Sequence, residues 1–199
     1  MKLVKDIDNN QNSKKISDKE AEEAFKTILA WMGEDPSREG LLETPKRVVK
    51  AFKEYFKGYK EDPIQVLDKT FGDVDGYDDM VIQKNISVQS HCEHHMAPII
   101  GKAHVAYISN GKVIGLSKIN RIVQYFAKRP QVQERLTVQI AETLKKVLET
   151  EDIAIVMDAK HMCVSMRGVE DHASSTVTSH FSGKFKNEAT KSEFLKYIQ

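Results

Sequence analysis

The sequence has little cysteine, no excess charge of either sign and no long apolar run, and each lack excludes a class of protein. Two cysteines in 199 residues are too few for a disulfide-built secreted domain. A net charge of +1 gives no field to hold the chain on nucleic acid or an anionic membrane. No run approaches the roughly 18 apolar residues of a membrane span, and the N-terminus lacks a signal peptide's apolar stretch. We therefore expect a cytoplasmic protein that uses neither nucleic acid nor a membrane as its partner.

The composition suits one globular domain with an appendage, since 40% of the residues are hydrophobic and 30% are charged. Residues 1–16 are polar and predict a mobile tail, because they offer little surface to bury. Ser17 opens a capping box that predicts an amphipathic helix, and Thr44 with Pro45 predicts the start of a second. We expect residues 17–77 to form an N-terminal helical segment.

From residue 78 to residue 199 the pattern predicts an α+β domain with an antiparallel sheet. A helix capped by Ser117 and stopped by Pro130, a longer helix with Leu136, Ile140 and Leu144 on its apolar stripe, and a short C-terminal helix are also predicted. The predicted strands cover 80–90, 102–108, 113–116, 153–158, 161–167 and 176–185.

The densest group of reactive side chains is Ser90-His91-Cys92-Glu93-His94-His95. Cys92 and His95 stand in a C-x-x-H relation, which lets one turn of chain place a thiolate and an imidazole on the same ion. Taken alone the pattern is weak, because most C-x-x-H sequences bind nothing. The second cysteine makes a metal site more credible.

That cysteine lies in a predicted strand over residues 161–167, where alternation assigns Met162, Val164 and Met166 to the core. His161, Cys163, Ser165 and Arg167 would then share the opposite face. If this face meets the first group, Cys92, His95 and Cys163 form the Cys₂His set of a catalytic zinc site with one open position. His94 and His161 would remain free to transfer protons.

Three further groups allow either a functional or an ordinary interpretation. Ser117, Lys118 and Arg121 at a helix start suit a phosphate, although a capped surface helix would look the same. Glu134 begins the next helix, where a carboxylate also serves the helix dipole. The basic face of the second helix, which includes Arg47 and Lys50, is usually a solvated surface.

Four strings together make the sequence resemble the GTP cyclohydrolase I family. They are C-E-H-H at 92–95, G-L-S-K-I-N-R-I-V at 115–123, R-P-Q-V-Q-E-R-L-T at 129–137 and H-M-C-V-S-M-R-G at 161–168. T-P-K-R-V-V-K at 44–50 extends the resemblance, which begins near Ser17.

The resemblance implies a role for each candidate residue. Zinc would be held by Cys92, His95 and Cys163, and protons moved by His94 and His161, with Ser117 as a further catalytic candidate. Gln133 and Glu134 would recognise guanine. The triphosphate or ribose would contact Ser117, Lys118, Arg121, Arg167, Arg47 and Lys50.

The resemblance also implies the tunnelling fold, with subunits joined into a homodecamer and pockets between them. The implied reaction converts GTP and water to 7,8-dihydroneopterin triphosphate and formate, at the start of a folate or biopterin pathway. Two alternatives stay open at this point. One is a tunnelling-fold enzyme acting on a related pterin or deazapurine, and the other is a zinc-stabilised nucleotide-binding module.

Overall fold

The computed structural model describes residues 16–60, 70–72 and 75–199, which fall into two compact units divided between Phe56 and Lys57. The predicted mobile tail therefore lies, apart from Ile16, outside the described residues. No helix in the described part of the chain combines the length and the apolar character needed to cross a bilayer.

The first unit contains two helices, α1 (Asp18–Trp31) and α2 (Thr44–Tyr55). The predicted capping box is confirmed, because the Glu20 amide donates to Ser17 Oγ at 3.3 Å and the Ser17 amide donates to the Glu20 carboxylate at 2.8 Å. Phe25 of α1 meets Phe52 of α2 edge to face, with ring centroids 5.3 Å apart. An apolar stripe on each helix thus joins the pair.

The second unit is built on a five-stranded sheet with two long helices on one face. Its strands are β1 (Thr70–Phe71), β2 (Met80–Cys92), β3 (Pro98–Ile108), β4 (Val113–Ile114), β5 (Pro130–Gln131), β6 (Ile153–His161) and β7 (Thr176–Phe181). Its helices are α3 (Leu116–Ala127), α4 (Gln133–Leu148), α5 (Met162–Ser165) and α6 (Glu188–Ile198). The predicted α+β class is therefore confirmed.

The sheet has the order β5-β2-β3-β6-β7, and its four long strands pair antiparallel. β1 and β4 form a separate two-stranded ribbon. Gly101 of β3 allows β6 to approach closely, since a Cβ there would lie 2.1 Å from the Asp158 carbonyl oxygen. β5 is a parallel addition of two residues, with Pro130 opposite His91 and Gln131 opposite Cys92.

The main core lies between the sheet and the helices α3 and α4. The predicted stripe of α4 is confirmed, because Leu136, Ile140 and Leu144 are fully buried, and Leu148 joins them. The other sheet face is covered at one end by Phe185 and Phe194. Packing on both faces therefore holds the ends of the sheet strands in fixed positions.

Two local predictions are wrong. The strand over 161–167 does not form, since β6 ends at His161 and the chain turns into α5, closed by the Met166 amide donating to the Met162 carbonyl at 2.9 Å. Alternation misled because Met166 is 72% exposed and is not core. Ser117 does not cap its helix either, because Gly115 holds that position and the helix begins two residues earlier than predicted.

Candidate functional site

A tight turn between β2 and β3 carries the first group of metal-ligating side chains. β2 ends at Cys92, whose amide donates to the Ala97 carbonyl at 2.8 Å, while the Met96 amide donates back to the Cys92 carbonyl at 2.8 Å. Met96 has φ 54°, in the left-handed region. This reversal folds His95 back beside Cys92 at the end of the strand.

The second group arrives from the neighbouring strand. Ile99 of β3 pairs with His161 at the end of β6, so the turn that follows β6 lies next to the turn that precedes β3. The donor atoms of Cys92, His95 and Cys163 lie within 4.8 Å of one another and could hold a metal ion. The structure thus brings together the three residues that the sequence selected, although Cys163 comes from a helical turn and not from a strand face.

Both cysteines are partly or fully shielded from water. Cys92 is 5% exposed and Cys163 is half-buried. Burial is the main cause that raises the pKa of the Cys163 thiol, and the neighbouring Cys92 side chain raises it further. The charge of Arg167 lowers it. A metal ion would favour the thiolate, because the ligand sulfur must be deprotonated, and binding would release protons.

His161 is held by the buried side chain of Gln133. Gln133 is 1% exposed, and its Nε2 lies 3.2 Å from the Met157 carbonyl oxygen and 2.8 Å from the Thr176 carbonyl oxygen. Two carbonyl oxygens identify Nε2 as the donor atom, so Oε1 is the acceptor that faces His161 Nε2 at 2.8 Å. His161 therefore donates from Nε2, and in its neutral form Nδ1 is the basic nitrogen.

Burial lowers the pKa of His161, while the charge of Glu134 acts in the opposite direction. Glu134 is exposed in the first turn of α4, immediately after Gln133. The structure thus places the predicted guanine-reading carboxylate within electrostatic reach of a predicted acid–base histidine. Gln133, by contrast, directs its polar atoms to the protein and to His161.

His94 and Arg167 border the same cluster. The exposed ring of His94 has Nδ1 3.9 Å from Cys92 Sγ and Nε2 3.8 Å from a Glu93 carboxylate oxygen. Arg167 Nη1 lies 3.1 Å from His95 Nε2. Both predicted residues are therefore brought to the metal-ligating group.

Ser117, Lys118 and Arg121 lie in the N-terminal half of α3, away from the end of that helix nearest to the metal-ligating group. The far end of α3 is tied beside the metal-bearing end of β2, because Ser90 Oγ donates to the Arg129 carbonyl at 3.3 Å. At 1.5 Å of rise per residue, Ser117 lies about 15 Å from that end of the helix. Arg47 and Lys50 are exposed on α2 in the other unit, and their predicted role stays a prediction.

Sequence reasoning missed two side chains that connect to this cluster, Gln131 and Arg135. Gln131 is 2% exposed on β5, and Arg135 contacts both Gln131 and Glu93. The available signal was a glutamine between positions that the pattern marks as apolar, since a buried amide needs hydrogen-bond partners.

Comparison with known proteins decides the family. The family model described as GTP cyclohydrolase I matches residues 21–199. The chain belongs to the GTP cyclohydrolase I family. It is 62% identical over 200 residues to GTP cyclohydrolase 1 of Pelagibacter ubique, covering 100% of this chain and 99% of that protein.

Other relatives within the GTP cyclohydrolase I family agree. The protein of the same name from Maricaulis maris is 52% identical, with 93% of this chain and 91% of the relative covered. The one from Brucella canis is 56% identical, with 88% and 83% covered. Membership confirms the tunnelling fold predicted from the sequence, of which the antiparallel sheet with α3 and α4 on one face is the single-chain part.

Proposed function

We propose that this chain is a zinc-dependent GTP cyclohydrolase I, which converts GTP and water to 7,8-dihydroneopterin triphosphate and formate. One observation carries the proposal: the donor atoms of Cys92, His95 and Cys163 lie within 4.8 Å of one another beside His161, in a chain that matches this family. The product would enter folate or biopterin synthesis. A cytoplasmic location stays a prediction.

The donor set fits zinc by its chemistry. Two thiolates and one imidazole are ligands that zinc prefers, and three protein ligands leave one position open, as in catalytic zinc sites. Cys92, His95 and Cys163 would hold the ion. When bound, zinc supplies Lewis acidity, which lowers the pKa of coordinated water to about 7.

Recognition of the base is assigned to Glu134. Guanine presents two adjacent donors, N1–H and the exocyclic amine, and one carboxylate accepts from both. Adenine presents an acceptor at N1 and no amine at C2. An exposed carboxylate in the first turn of α4, within electrostatic reach of His161, supports this assignment. We also assign Gln133 to this subsite, where its buried side chain would act by holding His161 and not by touching the base.

Proton transfer is assigned to the two histidines that border the metal-ligating group. Opening of the imidazole ring requires a proton at guanine N7, and His94 is the proposed donor. Rearrangement of the sugar then requires protons to move at the ribose, for which His161 and Ser117 are proposed. The basic Nδ1 of neutral His161 supports its part, because Gln133 already occupies Nε2.

The triphosphate is assigned to Lys118, Arg121 and Arg167, with Arg47 and Lys50, and this assignment requires more than one subunit. Arg167 lies at the metal cluster, whereas Lys118 lies in the first turn of α3 and Arg121 lies near the middle of that helix. In the described chain β7 pairs on one side only, with β6, and such an edge favours pairing with another copy. We propose a homo-oligomer, a decamer by family resemblance, with each site shared between subunits.

Mixing purified, zinc-loaded protein with GTP tests the function directly. We expect release of one formate per GTP together with 7,8-dihydroneopterin triphosphate, which is detected as a fluorescent pterin after oxidation with added iodine. Exhaustive chelation should stop it, and zinc should restore it. Tight GTP binding without formate release would instead indicate a zinc-stabilised nucleotide-binding module. Turnover of a pterin or deazapurine but not of GTP would indicate a related tunnelling-fold enzyme.

A further inference from the structure

Glu93 stands inside the turn that carries the metal ligands, between Cys92 and His95. Its carboxylate forms an ion pair with Arg135 of α4 and lies 3.8 Å from His94 Nε2. The side chains of Glu93 and Arg135 are 32% and 39% exposed, so the pair is partly shielded from water. Arg135 therefore ties the metal-bearing turn to the helix that begins with Gln133 and Glu134.

A second contact fixes Arg135 itself. Its Nε donates to Gln131 Oε1 at 3.2 Å. The side-chain Nε2 of Gln131 donates to the Phe126 carbonyl at 3.0 Å and to Gln139 Oε1 at 2.9 Å. The backbone carbonyl of Gln131 in turn accepts a hydrogen bond from the backbone amide of Glu93 at 3.0 Å. The turn, β5 and α4 thus form one closed hydrogen-bonded circuit.

We infer that Arg135 and Glu93 form a positioning pair, which holds the Cys92–His95 turn in register with the substrate-reading start of α4. The inference rests on the proposed function for its substrate, but the circuit connects the metal ligands to α4 whatever the substrate is. Neither side chain is assigned to the ion or to GTP.

The chemistry of arginine explains why this residue type is needed. Its planar group donates along two directions at once, so Nη2 reaches Glu93 while Nε reaches Gln131. A lysine supplies one point charge and cannot reproduce both contacts in the same geometry. Partners that orient metal ligands typically change metal affinity or activity by about 10–100-fold when they are lost.

The test compares Arg135→Ala, Glu93→Ala, the double variant and Arg135→Lys in zinc-loaded protein. We expect both alanine variants to hold zinc about tenfold more weakly against a chromophoric chelator and to lose about tenfold in kcat, with KM for GTP changed less than about threefold. The double variant should match the worse single variant, because both break one link. Arg135→Lys should recover only part of the loss.

Arg38→Ala is the matched control, since Arg38 pairs with Glu34 at 2.8 Å on the exposed surface of the other unit. It should leave zinc affinity and kcat unchanged. Unchanged zinc affinity and kcat in Arg135→Ala, or losses that add in the double variant, would overturn the positioning pair. A raised KM with normal zinc affinity would also overturn it, because Arg135 would then be a substrate contact. Wild-type protein that binds zinc without releasing formate would refute the proposed function but leave the zinc-affinity comparison valid.

Discussion

The two ends of α3 differ in how much of the proposed site one chain can assemble. Near its C-terminal end, two strand ends bring Cys92, His95 and Cys163 within 4.8 Å of one another. In its N-terminal half, Ser117 and Arg121 are exposed. The chain thus builds its metal-ligating group by itself, while Ser117 lies about 15 Å and Arg121 about 9 Å from that end along the helix axis. From this contrast we expect the metal-ligating group and the Ser117, Lys118 and Arg121 side chains of one site to come from different copies of the chain.

Removing a metal ligand should have the largest effect. Cys163→Ser replaces a thiolate by a hydroxyl that zinc binds poorly, so bound zinc should fall below about 0.1 per chain and formate release by at least about 10³-fold. Metal analysis and a formate assay measure both. Met166→Ala, three residues on and 72% exposed, is the control and should retain both. Full activity of Cys163→Ser after exhaustive chelation would contradict the metal assignment.

Removing the proposed base-reading carboxylate should weaken GTP binding without changing the metal content. Glu134→Ala should weaken GTP binding by at least about 100-fold, and wild-type protein should discriminate against ATP by about 10⁴-fold, because adenine leaves the carboxylate unpaired. Zinc content should stay normal. Calorimetric titration with GTP gives the affinity. Near-wild-type affinity would mean that Glu134 serves only the helix dipole.

Removing the amide that holds His161 should act mainly on turnover. Gln133→Ala deletes hydrogen bonds to Met157, Thr176 and His161 and leaves buried groups unpaired, so kcat should fall about 10–100-fold and stability by about 1–3 kcal/mol. Steady-state kinetics and denaturant unfolding measure the two effects. If KM for GTP rises with unchanged kcat, Gln133 reads the base directly and does not position the histidine.

The smallest effects are expected on the basic face of α2. Arg47→Ala and Lys50→Ala should each raise KM for GTP about fivefold with kcat unchanged, since an exposed cation beside a phosphate contributes about 1 kcal/mol. Their effect should shrink in high salt. Lys46→Ala, an exposed neighbour on the same helix, is the control. If all three variants have the KM of the wild-type protein, Arg47 and Lys50 do not contact the phosphates and this face is an ordinary solvated surface.

Much of the second unit could be predicted from the sequence because its patterns are strong. The stripe through Leu136, Ile140 and Leu144 predicted α4, and the short apolar runs in β3 and β6 predicted strands, since strands buried on both faces are apolar along most of their length. The capping box at Ser17 was equally direct, because both of its hydrogen bonds are local.

The chain around Cys163 could not be predicted by the same rules. Met162, Val164 and Met166 alternate like strand residues, yet the chain makes one helical turn there, which places Cys163 beside Cys92. That turn depends on the neighbouring turn of β2 and β3, a tertiary contact that no short pattern contains. The ion pair between Glu93 and Arg135 could not be predicted for the same reason, because the two residues are 42 positions apart in the sequence.

Mixed oligomers give the most direct test of the shared site. Cys163→Ser should lose the metal, and a combined Ser117→Ala, Lys118→Ala and Arg121→Ala variant should lose the proposed catalytic hydroxyl and two proposed phosphate contacts, so each of the two proteins alone should be nearly inactive. When the two are unfolded, mixed in equal amounts and reassembled with zinc, random pairing should restore about a quarter of the wild-type formate release, because intact halves then meet at some interfaces. Recovery near that level is the predicted result. Refolded mixtures no more active than the separate variants, beside a wild-type control that recovers fully, would contradict the account.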